Sequence, residues 1–424
     1  MTDKNLFQRR ERAFGTGAPT FYDVPLELVR GEGIYLFDSD GNRYVDMYNN
    51  VESVGHGNPV VVEAMADQQR RLNVHSRYLH PGPVEFAERL AALHTADVES
   101  VVFTCSGSEA NEVALQLVRT ATGKRGIVCS NATYHGNTEA LLQLVHAPHE
   151  PAACPEIRAI PFPETYRPLD PDHPGADAYL ARLSEAIDSL ERAGVGFAGV
   201  IFCSIFANEG LPDIPDGFMS RATDMVRAAG GLVIADEVQA GYGRAGTWWG
   251  YQSTQLTPDV VVTGKAMGNG LPLAAAAASK SLVDQFRSAT HYFNTCAATP
   301  LQSAVGMAVL DVIEDEGLIA AASEVGAGLK EALSERRAGR DWIGDVRGRG
   351  LFIAVEMVTD SATKQPDRAR AVELVNRLKD RGYLTSNAGA YSNVVKIRPP
   401  LVLSADQARG FIDAFDDVLD HIDG

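Results

Sequence analysis

The sequence predicts an α/β protein whose larger part is built on a mainly parallel β-sheet. Short β-rich runs alternate with helix-like segments between about residues 100 and 280, and each run is four or five residues long. These runs are VVFT at 101–104, GIVC at 126–129, VIFC at 200–203, GLVIA at 231–235 and VVVT at 260–263. Strands that alternate with helices are typical of parallel sheets. A helix that begins near Ser108 is indicated by apolar residues at 110, 113, 114, 117 and 118, the stripe of one buried helix face.

The two ends of the chain predict a second, smaller α+β domain. Strand-like runs around 351–355 and 394–397 are broken by Gly and Pro, and Ser404 and Gln407 have the spacing of a capping box ahead of a last helix. The first 55 residues read as strands and turns, with a turn signal at 40–41. We expect an N-terminal segment at 1–55 that packs with the small domain, a large domain at 56–315 and a C-terminal small domain at 316–424.

Composition and charge exclude several classes of protein. The 424 residues are 45% hydrophobic and 22% charged, as in ordinary folded proteins. A net charge of −17 repels phosphate backbones and anionic membranes, so we expect no nucleic-acid partner, although a basic cleft can still bind a small anionic substrate.

The five cysteines lack C-x-x-C spacing, and no signal peptide or apolar run of membrane length is found; these features predict a cytoplasmic protein with no membrane partner. The histidines form no H-E-x-x-H motif, and no metal is predicted.

The run CSGSEANEVALQLVR predicts a phosphate-binding turn. A strand ends at Thr104, and three small residues, Ser106, Gly107 and Ser108, lead directly into the helix. Small residues let backbone N–H groups approach an anion, and the helix start adds partial positive charge. The alternative is a serine that only caps the helix at a strand-to-helix turn.

Two further motifs place an acid and a lysine after neighbouring strands. Asp236 lies at the end of an apolar strand, where open α/β sheets bind ligands, and Lys265 follows the next strand beside glycines. Alone, the acid could be a helix cap and the lysine a surface residue. Together with the phosphate turn, they are the parts needed to hold pyridoxal 5′-phosphate (PLP): a lysine for the Schiff base, an acid for the pyridine nitrogen and an anchor for the phosphate.

Two patterns resemble nucleotide-binding motifs but do not meet their requirements. Glycines at 241, 243 and 246 spell G-x-G-x-x-G, but the run follows DEVQA and leads into TWWGY, so a dehydrogenase is disfavoured. The pair Gly264-Lys265 is followed by Ala266 where a Walker A motif requires Ser or Thr.

With these motifs the chain resembles the class III aminotransferases of the fold type I PLP-dependent transferases. The matching runs are SGSEANEVAL (106–115), YHG (134–136), ADEVQAGYGR (235–244), TGKAMGNGLP (263–272) and FNTCAATP (293–300). The resemblance implies that fold, with a large domain on a mainly parallel sheet and a small α+β domain from both chain ends.

The resemblance also implies roles for individual residues around the cofactor. Lys265 would form the Schiff base and Asp236 would meet the ring nitrogen. Gln239 would lie near the phenolic oxygen, with Val238 and Tyr134 against the ring faces.

For the cofactor phosphate, the resemblance implies binding by Gly107 and Ser108. In this family a threonine of the neighbouring subunit completes the phosphate site, and Thr295 matches it. A homodimer with shared active sites is therefore implied.

Within the family, the runs at 48–59, 75–80, 292–295 and 394–401 look most like the branch that contains ethanolamine-phosphate phospho-lyase. Many members have an arginine for the substrate's carboxylate where this chain has Lys396, followed by Arg398. The planar guanidinium of arginine, which can bind a carboxylate through two hydrogen bonds, is thus replaced by the compact ammonium of lysine. A glutamate that often pairs with that arginine is replaced by Cys203 in our alignment, so the pocket has lost a counter-ion.

A buried cationic pocket without a counter-ion is costly unless the substrate supplies negative charge. We therefore predict that Lys396 and Arg77 meet a substrate phosphate, with Tyr78 as a further candidate. The alternatives are a structural salt bridge for Arg77 and a solvated strand lysine for Lys396, and Arg398 is expected to be structural.

The predicted function is that of a PLP-dependent phospho-lyase, which eliminates phosphate from a small phosphorylated amine such as phosphoethanolamine to give aldehyde, ammonia and phosphate. The alternative is an ω-aminotransferase that moves the amino group to a keto acid, because both reactions begin with loss of a proton beside the nitrogen. A non-catalytic binding protein is disfavoured because Lys265 and Asp236 are both present.

Overall fold

The structure is a computed structural model, and it describes residues 4–95, 97–145 and 154–422. The strands are β1 (Leu28–Glu32), β2 (Tyr35–Asp38), β3 (Arg43–Asp46), β4 (Ser100–Thr104), β5 (Gly126–Ser130), β6 (Ile157–Ile160), β7 (Phe197–Cys203), β8 (Leu232–Asp236), β9 (Val260–Thr263), β10 (Ala274–Ala278), β11 (Ile343–Arg349), β12 (Phe352–Met357), β13 (Tyr383–Leu384), β14 (Ser386–Ala388) and β15 (Val394–Ile397).

The α-helices are α1 (Lys4–Phe14), α2 (Pro59–Arg71), α3 (Pro81–Ala92), α4 (Gly107–Thr122), α5 (Glu139–Val145), α6 (Ala176–Arg192), α7 (Phe218–Ala228), α8 (Lys280–Thr290), α9 (Pro300–Asp315), α10 (Leu318–Glu335), α11 (Arg368–Asp380) and α12 (Ala405–Ile422). A short 3₁₀ turn spans Gly250–Ser253. Among the described residues, we find no helix with the length and apolar character that a membrane crossing needs.

A seven-stranded sheet in the order β4-β10-β9-β8-β7-β5-β6 forms the centre of the molecule. Strands β5 to β9 pair in parallel, whereas β10 pairs antiparallel with both β4 and β9. The prediction of an α/β fold with a mainly parallel sheet is confirmed. The sequence runs gave five of these strands, and β6 and the all-alanine β10 were not predicted.

Both faces of this sheet are buried, because its residues alternate between two apolar clusters. Ile201 and Ile234 face the side of α4, whose predicted apolar stripe is fully buried there. Val200 and Val233 face the opposite side, in the larger cluster. Helices cover both faces, as expected when parallel strands are almost wholly apolar.

Two four-stranded sheets flank the central one. The order β11-β12-β15-β14 gives one sheet from the C-terminal part, and the order β1-β2-β3-β13 gives the other. Strand β13 pairs in parallel with β3, so the two ends of the chain meet in one sheet. The boundaries at residues 55 and 315 remain predictions. The last helix starts with the predicted capping box, in which Ser404 N–H donates to Gln407 Oε1 at 2.8 Å and Gln407 N–H donates to Ser404 Oγ at 3.2 Å.

Candidate active site

A cavity of about 260 Å³ opens at the carboxyl ends of the central strands. Strands β7 and β8 end at Cys203 and Asp236, Lys265 follows β9, and α4 begins just after β4, so the topology brings all four features to one edge. Every predicted cofactor residue except Thr295 lines this cavity: Gly107, Ser108, Tyr134, Asp236, Val238, Gln239 and Lys265.

Asp236 is a buried carboxylate held by three donors. Its Oδ2 accepts from His135 Nδ1 at 2.6 Å and from Asn111 Nδ2 at 3.0 Å, and its Oδ1 accepts from the Val238 N–H at 2.9 Å. On its other side, the His135 ring lies 2.6 Å from Thr133 Oγ1. These three donors hold the carboxylate in one orientation at the cavity.

The environment of Lys265 favours the neutral form of its amine. Burial lowers the pKa of its ammonium group, the positive charge of Arg398 lowers it further, and the Asp236 carboxylate opposes this shift. A lysine with a lowered pKa is neutral more of the time, and only the neutral amine can act as a nucleophile or base.

The start of α4 presents unpaired N–H groups to the cavity. Ser106 caps the helix by accepting from the Glu109 N–H at 3.2 Å, while the N–H groups of Gly107 and Ser108 have no hydrogen-bond partner among the described residues. A Cβ added to Gly107 would lie 3.0 Å from both methyl groups of Val238, so a side chain there would press on the cavity wall. The serine therefore caps the helix, and the phosphate-binding role of the next two N–H groups stays a prediction.

Gln239 belongs to a chain of polar contacts that the sequence did not reveal. Its Nε2 donates to Asn208 Oδ1 at 3.0 Å, and its Oε1 accepts from Arg398 Nη1. Asn208 Nδ2 in turn donates to the backbone carbonyl of Tyr134 at 3.0 Å, and Arg398 Nε donates to the Tyr48 carbonyl at 2.7 Å. Arg398 thus links β15 to the cavity wall, which agrees with its expected structural role.

The substrate residues are not gathered with the cofactor residues in the single chain. Arg77 is exposed and lies over the Phe293 ring at 4.0 Å, so it makes a ring contact and no ion pair with any described residue. Tyr78 is 65% exposed and stacks on His75. Thr295 is exposed in the same region, in the turn after Phe293. These residues form one surface outside the cavity.

Lys396 is buried on β15 and is not a solvated strand lysine. Its side chain is 3% exposed, and its Nζ lies 5.6 Å from the Phe352 ring. Burial lowers the pKa of its ammonium well below the ordinary value, and the positive charge of Arg398 acts in the same direction. No described residue gives Lys396 a hydrogen bond or an ion pair. Cys203 lines the cavity as a buried free thiol.

The partners of Asp236 are the functional residues that sequence reasoning missed. His135 lies inside the YHG run and Asn111 inside SGSEANEVAL, so both motifs contained the signal. Only the fold shows that they converge on one carboxylate.

The residues around the cavity fit PLP. An amine with a lowered pKa, a triply hydrogen-bonded carboxylate and two open N–H groups line one space, and Val238 closes on it from one side. Lys265 would hold the cofactor's aldehyde carbon, Asp236 its ring nitrogen, and the start of α4 its phosphate.

The family model described as aminotransferase class-III matches residues 17–419 of this chain. The chain belongs to this family. PLP is therefore its cofactor, and solved structures with the same fold include an omega transaminase from Pseudomonas jessenii in complex with PMP, at 26% identity and a TM-score of 0.85 over 94% of this chain and 92% of that one.

More similar proteins fall in two functional groups. A phospholyase from Arthrobacter, solved in complex with phosphoethanolamine, is 39% identical with a TM-score of 0.94 over 98% of this chain and 99% of that one. An ethanolamine-phosphate phospho-lyase homolog of Caenorhabditis elegans is 30% identical over 98% of this chain and 93% of its own length. An alanine-glyoxylate aminotransferase 2-like protein of Drosophila melanogaster is 34% identical over 97% of this chain and 86% of its own length.

Proposed function

We propose that this enzyme is a phospho-lyase that eliminates phosphate from a small phosphorylated amine such as phosphoethanolamine, and that it acts in the cytoplasm. The similarity to the Arthrobacter phospholyase, whose structure holds phosphoethanolamine, supports this substrate class. The observation that carries the proposal is a pair of buried cations, Lys396 and Arg398, close enough to Lys265 for their charges to interact with it. Neither has a carboxylate within ion-pair distance among the described residues.

The charge balance of the pocket favours a dianionic ligand. Burial lowers the pKa of both Lys396 and Arg398, because removing a charged group from water costs free energy. A phosphate brought close to them would add negative charge beside both groups and stabilise their charged forms. A carboxylate would supply less charge, and lysine lacks the planar fork that arginine offers to a carboxylate.

When bound, PLP supplies the electron sink for the bond that breaks at the carbon carrying the substrate's nitrogen. Lys265 would hold the cofactor until the substrate's amine displaces it, and the freed neutral amine of Lys265 would then accept the proton from that carbon. Asp236, fixed by His135 and Asn111, would place its carboxylate beside the ring nitrogen.

Phosphate then leaves the adjacent carbon with the electron pair of the C–O bond. Water supplies the aldehyde oxygen, so phosphoethanolamine and water give acetaldehyde, ammonia and inorganic phosphate. The same proton transfer without a leaving group on the adjacent carbon leads to amino transfer instead, so the substrate helps to decide the reaction.

A homodimer completes the proposed site. Arg77, Tyr78 and Thr295 are exposed together, away from the cavity of their own chain. We propose that this surface of one subunit faces the cavity of the other, where Thr295 closes the cofactor's phosphate site and Arg77 meets the phosphate of the substrate.

The second candidate function is that of an ω-aminotransferase, and it is favoured by the 34% identity to the Drosophila aminotransferase-like relative. Two incubations separate the candidates. Phosphate release from phosphoethanolamine without a keto acid supports elimination, whereas alanine formation from an amine and pyruvate, with no phosphate release from phosphoethanolamine, supports amino transfer.

Substitution of Lys396 tests the substrate assignment. We expect Lys396→Ala to weaken the use of phosphoethanolamine far more than the binding of PLP. Unchanged kinetics with phosphoethanolamine would remove Lys396 from the site.

A further inference from the structure

A buried carboxylate lies in the loop after β7, next to a residue that lines the cofactor cavity. Glu209 follows β7 in the loop that also carries Asn208, and it is 3% exposed. Its Oε1 accepts from Ser130 Oγ, at the end of β5, but its Oε2 is fully buried without a hydrogen-bond partner. An unpartnered buried carboxylate oxygen is costly, so its presence calls for a nearby positive group.

Lys396 is the complementary buried group. Its Nζ has no hydrogen bond or ion pair with a described residue, and the negative charge of Glu209 acts on it to raise its pKa against the effect of burial. Lys396 acts on Glu209 in return, because its charge lowers the pKa of that carboxyl while burial raises it. Glu209 and Lys396 are thus both buried and close enough for their charges to interact, although they make no direct ion pair.

Packing brings the two elements together. A Cβ added to Gly210, the residue after Glu209, would lie 3.2 Å from a methyl group of Val394 on β15. Val394 and Lys396 are two residues apart on this strand and therefore point to the same face of the sheet. The loop after β7 consequently sits against the face of β15 from which Lys396 projects.

We propose that Glu209 is the internal counter-ion of Lys396 and acts as a positioning residue for the substrate's phosphate. This inference rests on the proposed function. It also revises the expectation that the change to Cys203 left the pocket without a counter-ion, because a carboxylate six positions further along the chain takes that part.

Other charged groups around the pair are accounted for. Glu209 also faces His135, and Lys396 also faces Arg398, Lys265 and the thiol of Cys203. Of the other charged residues on this sheet, Glu356 pairs with Arg347 and with Arg167 from outside the sheet, Arg347 also pairs with Asp345, and Arg349 donates to the Ser253 carbonyl.

The test is the pH dependence of phosphate binding to the holoenzyme. Phosphate binding needs the Lys396 ammonium, which the Glu209 charge stabilises. In Glu209→Gln, the pH above which inorganic phosphate binding weakens should therefore fall by about one unit, since a nearby opposite charge moves a pKa by about that much or more. Calorimetric titration with inorganic phosphate between about pH 6.5 and 9.5 measures the shift. The visible spectrum of bound PLP should not change.

Three further variants sharpen this test. Glu185→Gln removes one negative charge from the exposed face of α6 and should leave the curve in place. Ser130→Ala removes the hydroxyl that donates to Glu209 and should shift the curve in the same direction by less, which provides a second probe if Glu209→Gln does not fold. In a Lys396→Met background, Glu209→Gln should have no effect on phosphate binding.

Superimposable wild-type and Glu209→Gln curves would overturn the inference. The proposed function fails separately, if the wild-type enzyme releases no phosphate from phosphoethanolamine even though the shift with inorganic phosphate is found.

Discussion

Replacing His135 with phenylalanine tests how the cavity controls the chemistry of its cofactor. His135 Nδ1 donates to Asp236 Oδ2 at 2.6 Å, in a buried setting where water cannot replace it. Phenylalanine has a similar ring size and no donor, and Asn111 alone remains on that oxygen, at 3.0 Å. The carboxylate then loses one of its two donors on this oxygen, so it is held less firmly beside the ring nitrogen of the cofactor.

The size of the effect follows from the lost bond. A hydrogen bond to a charged group is worth about 1.5–3 kcal/mol, which converts to a fall in kcat of roughly 10- to 150-fold at 1.36 kcal/mol for each factor of ten. The assay is kcat for the turnover that the wild-type holoenzyme performs, with PLP content measured in the same sample.

His94→Phe is the matched control for this substitution. His94 is a half-buried imidazole that stacks on Trp249 with a ring-centre distance of 4.2 Å, and it does not line the cavity. We expect its variant to keep kcat within about twofold of wild type. A role of the His135–Asp236 hydrogen bond in turnover is refuted if the kcat of His135→Phe, with full PLP content, also stays within twofold of wild type. It is refuted as well if both variants lose activity equally.

Three other predictions concern affinity and stability. Gly107→Ala should weaken PLP binding about tenfold in a spectroscopic titration, because its Cβ would lie 3.0 Å from Val238; an unchanged dissociation constant would contradict the close approach. Burial lowers the pKa of His94 to about 3, so the unfolded chain takes up a proton that the folded protein refuses, and stability falls as pH drops below 6.5. Between pH 7 and 4, the free energy of unfolding of His94→Phe should therefore fall by about 3 kcal/mol less than that of wild type, as measured in denaturant titrations. Equal falls in the two proteins would contradict this prediction. Arg244→Met should lower the free energy of unfolding by about 3 kcal/mol, because buried acceptors on Asn50 and Leu351 lose their donor; an unchanged melting temperature would argue against that role.

The sequence predicted the elements with clear local patterns. The β-rich runs and the α4 stripe are confirmed, because buried parallel strands are nearly all apolar and an amphipathic helix has a 3.6-residue period. Strand β10 was missed because five alanines carry no strand pattern and favour a helix on their own; they form a strand only because β4 and β9 lie on either side.

Sequence motifs could predict residues that meet at one cavity, because most of them lie in short local motifs at a strand end or helix start. The environment of Lys396 was not, because its burial depends on the loop after β7, far away in sequence. The link from Asp236 to His135 likewise spans 101 positions. Sequence periodicity reports which face of an element is buried, but it does not report which distant side chain lies opposite.

Product stoichiometry with phosphoethanolamine as the only substrate decides whether the enzyme eliminates phosphate. We expect many turnovers without a keto acid, with one phosphate and one ammonia formed for each acetaldehyde. Phosphate elimination is ruled out if the reaction stops after one product molecule per active site, or if it needs pyruvate and yields alanine while phosphoethanolamine keeps its phosphate.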